Sequence, residues 1–198
     1  MNRFLTVFAF SSLLCLAGGA VELNGGFERC TAASNGILVP IGWNYNAKIS
    51  KNSAVRATRE KDEVRSGNFA LNLECDEGGV LYFRTLETFP VNAGDRIRFK
   101  VYAMGEGTFD ISLLMMNGPG IGHTLRTIGG LPKSKVPKPL QWNEITHEIV
   151  MNPVKTRDNK ESFSKLWFIP MIHIDGEADI IIDDLSIEVI PTDPKEAK

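Results

Sequence analysis

The stretch ADIIIDDLSIEVI, from Ala178 to Ile190, is the part of the sequence that decides the predicted fold. In a β-strand, alternate side chains point to opposite faces, so one face would carry Ile181, Leu185, Ile187 and Val189. Asp183 has the same parity, and a carboxylate is costly to bury unless it is paired or coordinates a metal ion. We therefore expect the last strand of a closed all-β domain, with Asp183 held against a cation at one rim.

The first twenty residues are typical of a secretory signal peptide. Arg3 is their only charged residue, an almost continuous apolar segment covers residues 4–16, and the residues that follow are small. The apolar segment is short for a membrane-spanning helix, so we expect cleavage before Val21 rather than a retained anchor. The protein would then be secreted, periplasmic or on the cell surface, with no membrane span after cleavage.

Residues 21–190 are expected to form one domain, and residues 191–198 a flexible C-terminal tail. The 22 basic and 24 acidic residues give a formal net charge of −2 at pH 7, without a dominant basic patch. This balance gives no support for nucleic acid as a partner, because binding to phosphates requires concentrated positive charge.

The chain from Val21 onward consists of short segments of alternating pattern, separated by turn residues. In the clearest one, residues 95–103, apolar residues alternate mainly with charged ones. Similar patterns predict strands at residues 21–23, 37–39, 54–58, 68–75, 80–86, 108–116, 143–150, 166–174 and 179–190. We expect a single β-sandwich or jelly roll of about nine to ten short antiparallel strands, with a long, potentially functional loop at residues 117–141.

Cys30 and Cys75 are the two cysteines that remain after the predicted cleavage. In an exported protein, an even number of cysteines favours a disulfide. The alternative is two separate free thiols, because spacing along the chain does not show that two Cα atoms come close enough to be bridged.

The motifs of common enzymes are not present in the sequence. The Gly-x-Ser-x-Gly pattern of a nucleophile elbow does not occur, and the glycine-rich segment 118–122 does not lead into the helix that a phosphate site needs. His147 and Glu148 begin a pattern found in metalloproteases, but Met151 stands where the second histidine is required. We therefore predict that the protein is not an enzyme.

Tyr102 is the best candidate for ligand contact among the aromatic residues, because it lies on the polar side of its predicted strand with Arg98 and Lys100. The ring offers a large apolar surface with a polar tip, which suits the faces of sugars. The two basic residues would suit an acidic glycan. Tyr82 and Trp167 are further candidates, and the alternative is an ordinary solvated strand face.

Five short motifs occur in order along the chain: NGGFE at residues 24–28, GW at 42–43, SGNFAL at 66–71, AGDRIRF at 93–99 and IDDL at 182–185. Together they resemble landmarks of the carbohydrate-binding modules of families 4, 9 and 22, which are galactose-binding-like β-jelly rolls. The resemblance covers nearly the whole mature chain. It implies that a carbohydrate binds on a sheet face or at a loop rim.

The resemblance also implies a structural calcium ion. Carried over by position, the carboxylate ligands would be Glu28 and Asp183, with backbone carbonyls near Ser66 and Asn68 completing an oxygen-rich shell. Asp184 is a second choice for the same role.

The predicted function is that of a secreted, non-catalytic module that binds a poly- or oligosaccharide, with acidic glycans among the candidates. The alternative is an exported protein–protein interaction or surface-assembly module with the same fold. It is motivated by Leu114 and Met116, which are apolar on the outward side of their predicted strand, because exposed apolar neighbours often mark an interface.

Overall fold

The computed structural model describes residues 19–21, 23–46, 49–120, 124–128, 134–136, 140–156, 158 and 160–192. Residues 1–18 of the predicted signal peptide and residues 193–198 of the predicted tail lie outside these ranges. The strands within them are β1 (Gly19–Ala20), β2 (Cys30–Ala32), β3 (Leu38–Pro40), β4 (Trp43–Tyr45), β5 (Lys51–Thr58), β6 (Ala70–Thr85), β7 (Phe89–Asn92), β8 (Arg96–Glu106), β9 (Thr108–Met116), β10 (Thr124–Ile128), β11 (Ser134–Lys135), β12 (Asn143–Val150), β13 (Val154–Lys155), β14 (Ser162–Phe163), β15 (Lys165–Asp175) and β16 (Ala178–Ile190). In this part of the chain, no helix is long and apolar enough to cross a membrane.

β6 is the strand that the two layers of the sandwich share. Its first half pairs with β5 and β16, and its second half pairs with β4 and β15. One layer, which we call the front sheet, has the order β5-β6-β16-β8-β12, and the other, the back sheet, has the order β4-β6-β15-β9-β10. All these pairs are antiparallel, so the predicted β-sandwich or jelly roll is confirmed.

The core lies between the two sheets and consists of alternate residues of their strands. In the front sheet, β8 contributes Ile97, Phe99 and Val101, and in the back sheet, Leu113 and Phe168 face them from β9 and β15. Each of these side chains is almost fully buried. Burial of one such side chain contributes about 1.5–3 kcal/mol, so the alternating pattern drives the layering.

β16 contains a β-bulge that changes which of its residues face the core. Asp184 and Leu185 together stand opposite the single residue Val101 of β8, and Asp184 has a φ of 50°. Before the bulge, Ile180 and Ile182 belong to the core; after it, the odd-numbered residues do, beginning with Leu185. The extra residue in the bulge shifts the alternation by one position.

The prediction that Asp183 shares the core face with the odd-numbered apolar residues of β16 is therefore wrong. Asp183 pairs with Tyr102 of β8 and points to the outer side of the front sheet. It is nonetheless fully buried. The reason is that the turn formed by residues 65–69 lies over it, and its amide groups contact the carboxylate.

The observed strand bounds match the predicted ones closely in the long strands and less well in the short ones. β9 and β12 have the predicted limits. The segments predicted at 68–75 and 80–86 form one strand, β6, with exposed residues at 76–78 in its middle. Of the predicted strand at 21–23, the described residues Val21 and Leu23 do not lie in a strand; β1 pairs with the end of β16, and the amide of Val21 donates to the carbonyl of Ile187 at 2.9 Å.

The expected disulfide is not present, and both cysteines are free thiols. Cys30 lies in the separate two-stranded sheet of β2 and β3, where its thiol donates to the carbonyl of Phe27 at 3.0 Å. Cys75 lies in β6, between β5 and β16. Burial raises the pKa of each thiol, helped by the charge of Glu28 at Cys30 and of Asp76 at Cys75.

Candidate functional site

The turn of residues 65–69, which we call the clamped turn, is held by two acidic residues from opposite ends of the chain. The first is Asp183. Its Oδ2 accepts the amide hydrogens of Arg65 and Ser66 at 3.1 and 3.0 Å, and its Oδ1 accepts that of Asp184 at 2.7 Å. These three bonds explain how a carboxylate can be buried under the turn without a cationic side chain beside it.

Glu28 holds the other side of the clamped turn. Its two oxygens accept the amide hydrogen of Asn68 at 3.0 and 3.1 Å, and Oε1 also accepts that of Phe69 at 3.1 Å. The side-chain amide of Asn68 adds a further bond to Oε2 at 3.2 Å. Glu28 and Asp183 thus both accept hydrogen bonds from the clamped turn.

The donor set of the clamped turn does not suit the calcium ion that the resemblance implies. Each oxygen of Glu28 accepts two N–H groups, and Asp183 accepts three in total. A carboxylate oxygen has about two lone-pair sites, so an ion at Glu28 would have to displace its hydrogen bonds, and at Asp183 only Oδ1 keeps one site free. Among the described residues, no group of three or more His, Cys, Asp or Glu side chains could hold a metal ion. Calcium at this turn stays a prediction from the resemblance.

Burial raises the pKa of Asp183 to about 6, against an ordinary value of 3.8. The hydrogen bond from the amide of Ser66 is the largest opposing influence, because it favours the ionised form. The negative charge is therefore costly at this position even though its hydrogen bonds are satisfied.

The basic row predicted to contact a ligand lies on the outer face of the front sheet, where each basic group has an acidic partner. Arg98 forms ion pairs with Glu148 and Glu188, both at 3.0 Å, and Lys100 pairs with Glu144 at 3.1 Å. The pairs are exposed and contribute little stability individually. They nevertheless neutralise the row that was expected to attract an acidic glycan.

Tyr102 belongs to the same outer face, and its ring is already covered. The guanidinium carbon of Arg65 lies 3.4 Å from the ring centroid, and the hydroxyl donates to Glu144. Arg65 is in turn paired with Asp184. Because one face of the ring is occupied and its polar tip is bonded, Tyr102 serves to hold the clamped turn against the front sheet.

The outer face of the back sheet carries a different set of groups, which we call the back face. Its centre is a row across three neighbouring strands, in which Tyr82 of β6 pairs with His173 of β15, and His173 pairs with Asp110 of β9. The rings of Tyr82 and His173 are stacked with their centroids 4.6 Å apart. His173 Nδ1 lies 2.9 Å from Asp110 Oδ2, and the hydroxyl of Ser112 donates to Asp110 Oδ1 at 2.7 Å.

Arg84 lies two residues beyond Tyr82 on the same side of β6. Its residue neighbours in the adjacent strands are Asn44 and Met171. The arginine is half-buried, and its Nε is shielded from solvent without a hydrogen-bond partner. The back face therefore combines stacked rings with an acid–imidazole pair and an unpaired donor, all on rigid strands.

Trp167, the remaining predicted ligand residue, lies on the same side of β15 but towards its other end, opposite Met116 of β9. It is half-buried. Met116 and Ile169 beside it are fully buried, and Leu114 is half-buried. The assumption that Leu114 and Met116 form an exposed apolar pair is therefore wrong.

Sequence reasoning found Tyr82 and Trp167 but missed His173, Asp110 and Arg84. The strand pattern could have placed each of them on the outward side of its own strand, since their odd or even numbering is opposite to that of the core residues. What the pattern does not give is the adjacency of β6, β15 and β9, which brings residues from three distant parts of the chain into one row.

No protein-family model and no curated protein matches the sequence. Solved structures do match the fold. A cyclase from Fischerella sp. TAU aligns with a TM-score of 0.56 and 14% identity, over 89% of this chain and all of that one. The CBM22-1 xylan-binding domain of Paenibacillus barcinonensis Xyn10C aligns with a TM-score of 0.50 and 14% identity, over 89% of this chain and 98% of that one.

The enzymatically active domain of tailspike protein 4 from bacteriophage CBA120 also aligns, with a TM-score of 0.55 and 12% identity over 85% of this chain. The match spans only 21% of the tailspike chain. At such low identities these likenesses report on the fold. They show that the chain is a β-jelly roll of the type found in carbohydrate-binding modules, as its sequence landmarks predict.

Proposed function

We propose that this protein binds a poly- or oligosaccharide on the back face and does not transform it. The observation that carries the proposal is the row of Tyr82, His173 and Asp110, in which stacked rings adjoin hydrogen-bonding groups on three paired strands. Carbohydrates need this combination, because their rings present apolar C–H patches edged by hydroxyl groups. The fold shared with a xylan-binding domain supports it.

The outer face of the front sheet, which we call the front face, supports the proposal less well. Its basic groups are paired with glutamates, and Arg65 covers Tyr102. A ligand there would have to break several of these contacts before making its own. On the back face, no described residue forms an ion pair with Arg84 that a ligand would have to break, and its shielded Nε has no hydrogen-bond partner.

The proposal is tested by measuring affinity for a panel of polysaccharides, including xylan, β-1,4-galactan and polygalacturonate, with the wild type and two variants. We expect Tyr82→Ala to weaken binding about tenfold, equivalent to about 1.4 kcal/mol, which is within reach of one lost aromatic contact. Tyr102→Ala is the matched control and should bind as the wild type does. The idea fails if folded wild-type protein binds no member of the panel, or if Tyr102→Ala loses affinity and Tyr82→Ala does not.

Absence of catalysis is a separate part of the proposal. His173 and Asp110 form a pair that could exchange a proton, and one structural neighbour is a cyclase. Prolonged incubation with each bound polysaccharide, followed by chromatography of the soluble products, should show no new oligosaccharide. Product formation that disappears in His173→Gln would replace the binding function with an enzymatic one.

The rival function, a protein–protein interaction module, loses the observation that motivated it. Leu114 and Met116 are not exposed, so they do not form an apolar docking surface.

A further inference from the structure

Arg84 differs from three other strand arginines, Arg56, Arg96 and Arg98, in lacking an acidic partner among the described residues. Arg56 pairs with Glu74 at 2.5 Å, and Arg96 and Arg98 both pair with Glu148. Among the described residues, no carboxylate forms an ion pair with Arg84. The side chain of Arg84 is half-buried, whereas those of Arg96 and Arg98 are exposed.

The buried Nε makes the position of Arg84 unusual. It has almost no contact with solvent and no hydrogen-bond partner. A charged donor that is removed from water and left without an acceptor is unfavourable, so such a group in a native protein needs an explanation, of which a bound ion or water is one. Because Nε itself is shielded, an incoming carboxylate would meet the two terminal nitrogens of the guanidinium, whose N–H groups can also donate two parallel bonds to it.

The described residues that flank Arg84 on the neighbouring strands do not compensate its charge. Asn44 and Met171, which flank it on the neighbouring strands, are both uncharged. Asp110 lies two strands away on the same face and is engaged by His173 and Ser112. The back face therefore has one cationic end at Arg84 and one aromatic centre at Tyr82.

We propose that the ligand of the back face is an acidic glycan, and that Arg84 binds the carboxylate of one of its uronic acid residues. The inference rests on the proposed carbohydrate function and names the class of ligand. Tyr82 and Arg84 are two residues apart on one side of β6, which separates them by about 7 Å along the strand. A sugar ring packed against the Tyr82–His173 pair would thus place a carboxylate on its ring edge within reach of the guanidinium.

The assignment moves the basis for acidic-glycan binding from the front face to the back face. The basic row of Arg98 and Lys100 has its charge satisfied internally. Arg84 has the same charge without such a partner. Neutral polysaccharides would use the aromatic pair alone and bind more weakly.

The test compares polygalacturonate with the same polymer after its carboxylates have been chemically reduced to hydroxymethyl groups, using wild type, Arg84→Gln and Arg96→Gln. We expect the wild type to bind the acidic polymer about 10- to 100-fold more tightly than the reduced one, as expected for a charge-assisted hydrogen bond pair. Arg84→Gln should lose this preference but keep the affinity for the reduced polymer. Arg96→Gln, an exposed arginine paired with Glu148, should retain the preference.

The possible results separate the two proposals. Equal binding of the acidic and reduced polymers by the wild type, or an unchanged preference in folded Arg84→Gln, overturns the role of Arg84 while carbohydrate binding stands. Loss of the preference in Arg96→Gln rather than Arg84→Gln returns the acidic ligand to the front face. If neither polymer, nor any neutral polysaccharide, binds the wild type, the carbohydrate function itself is overturned.

Discussion

The ionised carboxylate of Asp183 is unfavourable at its buried position, although its oxygens accept three hydrogen bonds. Burial raises its pKa to about 6, while three backbone amides donate to it. Its role is to fix the clamped turn against β16. Three of the lone-pair sites of its carboxylate are directed at backbone amides of the protein itself.

The raised pKa of Asp183 predicts a pH dependence of folding stability. The folded protein holds this proton more tightly than the unfolded chain, so between about pH 4 and pH 6 the folded state binds more protons. The free energy of unfolding should therefore fall as the pH rises through this window. Chemical denaturation at several pH values measures it.

Asp183→Asn is the matched control for that measurement, because the amide keeps the shape of the carboxyl group and does not titrate. The difference between wild type and variant isolates Asp183 from other groups that titrate in the same range. A difference that stays constant between pH 4 and pH 6 would show that the pKa of Asp183 is not raised.

The hydrogen bonds at Glu28 and Asp183 predict that the stability of the fold does not depend on calcium. Since N–H groups already occupy the carboxylate oxygens, we expect the wild-type Tm to be the same in EDTA and in millimolar calcium. Differential scanning fluorimetry measures this. A Tm that drops on chelation and recovers with calcium, in the wild type but not in Glu28→Gln, would establish the calcium site that the family resemblance implies.

The clamped turn depends, as an element, on the absence of a side chain at Gly67. The backbone has a φ of +67°, and a Cβ atom there would lie 2.2 Å from Oε1 of Glu28. We expect Gly67→Ala to lower the free energy of unfolding by more than about 2 kcal/mol, because strain at positive φ costs about 1–3 kcal/mol before the clash is added. Urea denaturation gives the value.

Gly78→Ala separates the two causes. Gly78 has nearly the same φ, +66°, and a Cβ atom there would meet nothing within 4 Å. It should therefore show only the backbone strain. Equal losses of unfolding free energy in Gly67→Ala and Gly78→Ala would contradict a close contact between Glu28 and the clamped turn.

The long strands could be predicted from the sequence, but the local geometry of the last one could not. Alternation identified β8 and β9 because one of their faces is continuously apolar, and β12 because its two isoleucines share a parity. In the sequence of β16, the odd-numbered apolar residues share one parity, yet the bulge at Asp184 and Leu185 changes which parity faces the core between Ile182 and Ile187. From the sequence pattern alone, a strand whose core-facing parity changes at a bulge cannot be told apart from a strand that is apolar on both faces.

The candidate site was predictable only in part, for a related reason. Tyr82 could be recognised as an outward aromatic residue from its own strand. Arg84 and His173 can be recognised as site residues only from their neighbours on adjacent strands. Those strand pairings, with β4, β15 and β9, join segments far apart in the chain. The ion pairs that neutralise Arg98 likewise come from β12 and β16, and charge counts along the sequence do not reveal them.

At the scale of the whole molecule, the sequence predicts that the exported protein begins at Val21. Cleavage there removes β1, which forms two pairs with β16, and turns the amide nitrogen of Val21 into an α-ammonium group, which can still donate to the carbonyl of Ile187. We therefore expect mass spectrometry of protein from the culture medium or periplasm to give a chain starting at Val21, with a Tm equal to that of the full chain. Retention of residues 1–20 on exported protein would contradict the predicted signal.

The course of β6 through both sheets has a consequence for how this protein folds. Its first half needs β16, about a hundred residues later in the chain, and its second half needs β15. Closing such long loops is slow, and neither sheet gains its full set of cross-strand bonds before the other has begun to form. The two layers are therefore expected to assemble as one cooperative unit, with β6 at the centre of a late transition state and no stable half-sandwich along the way.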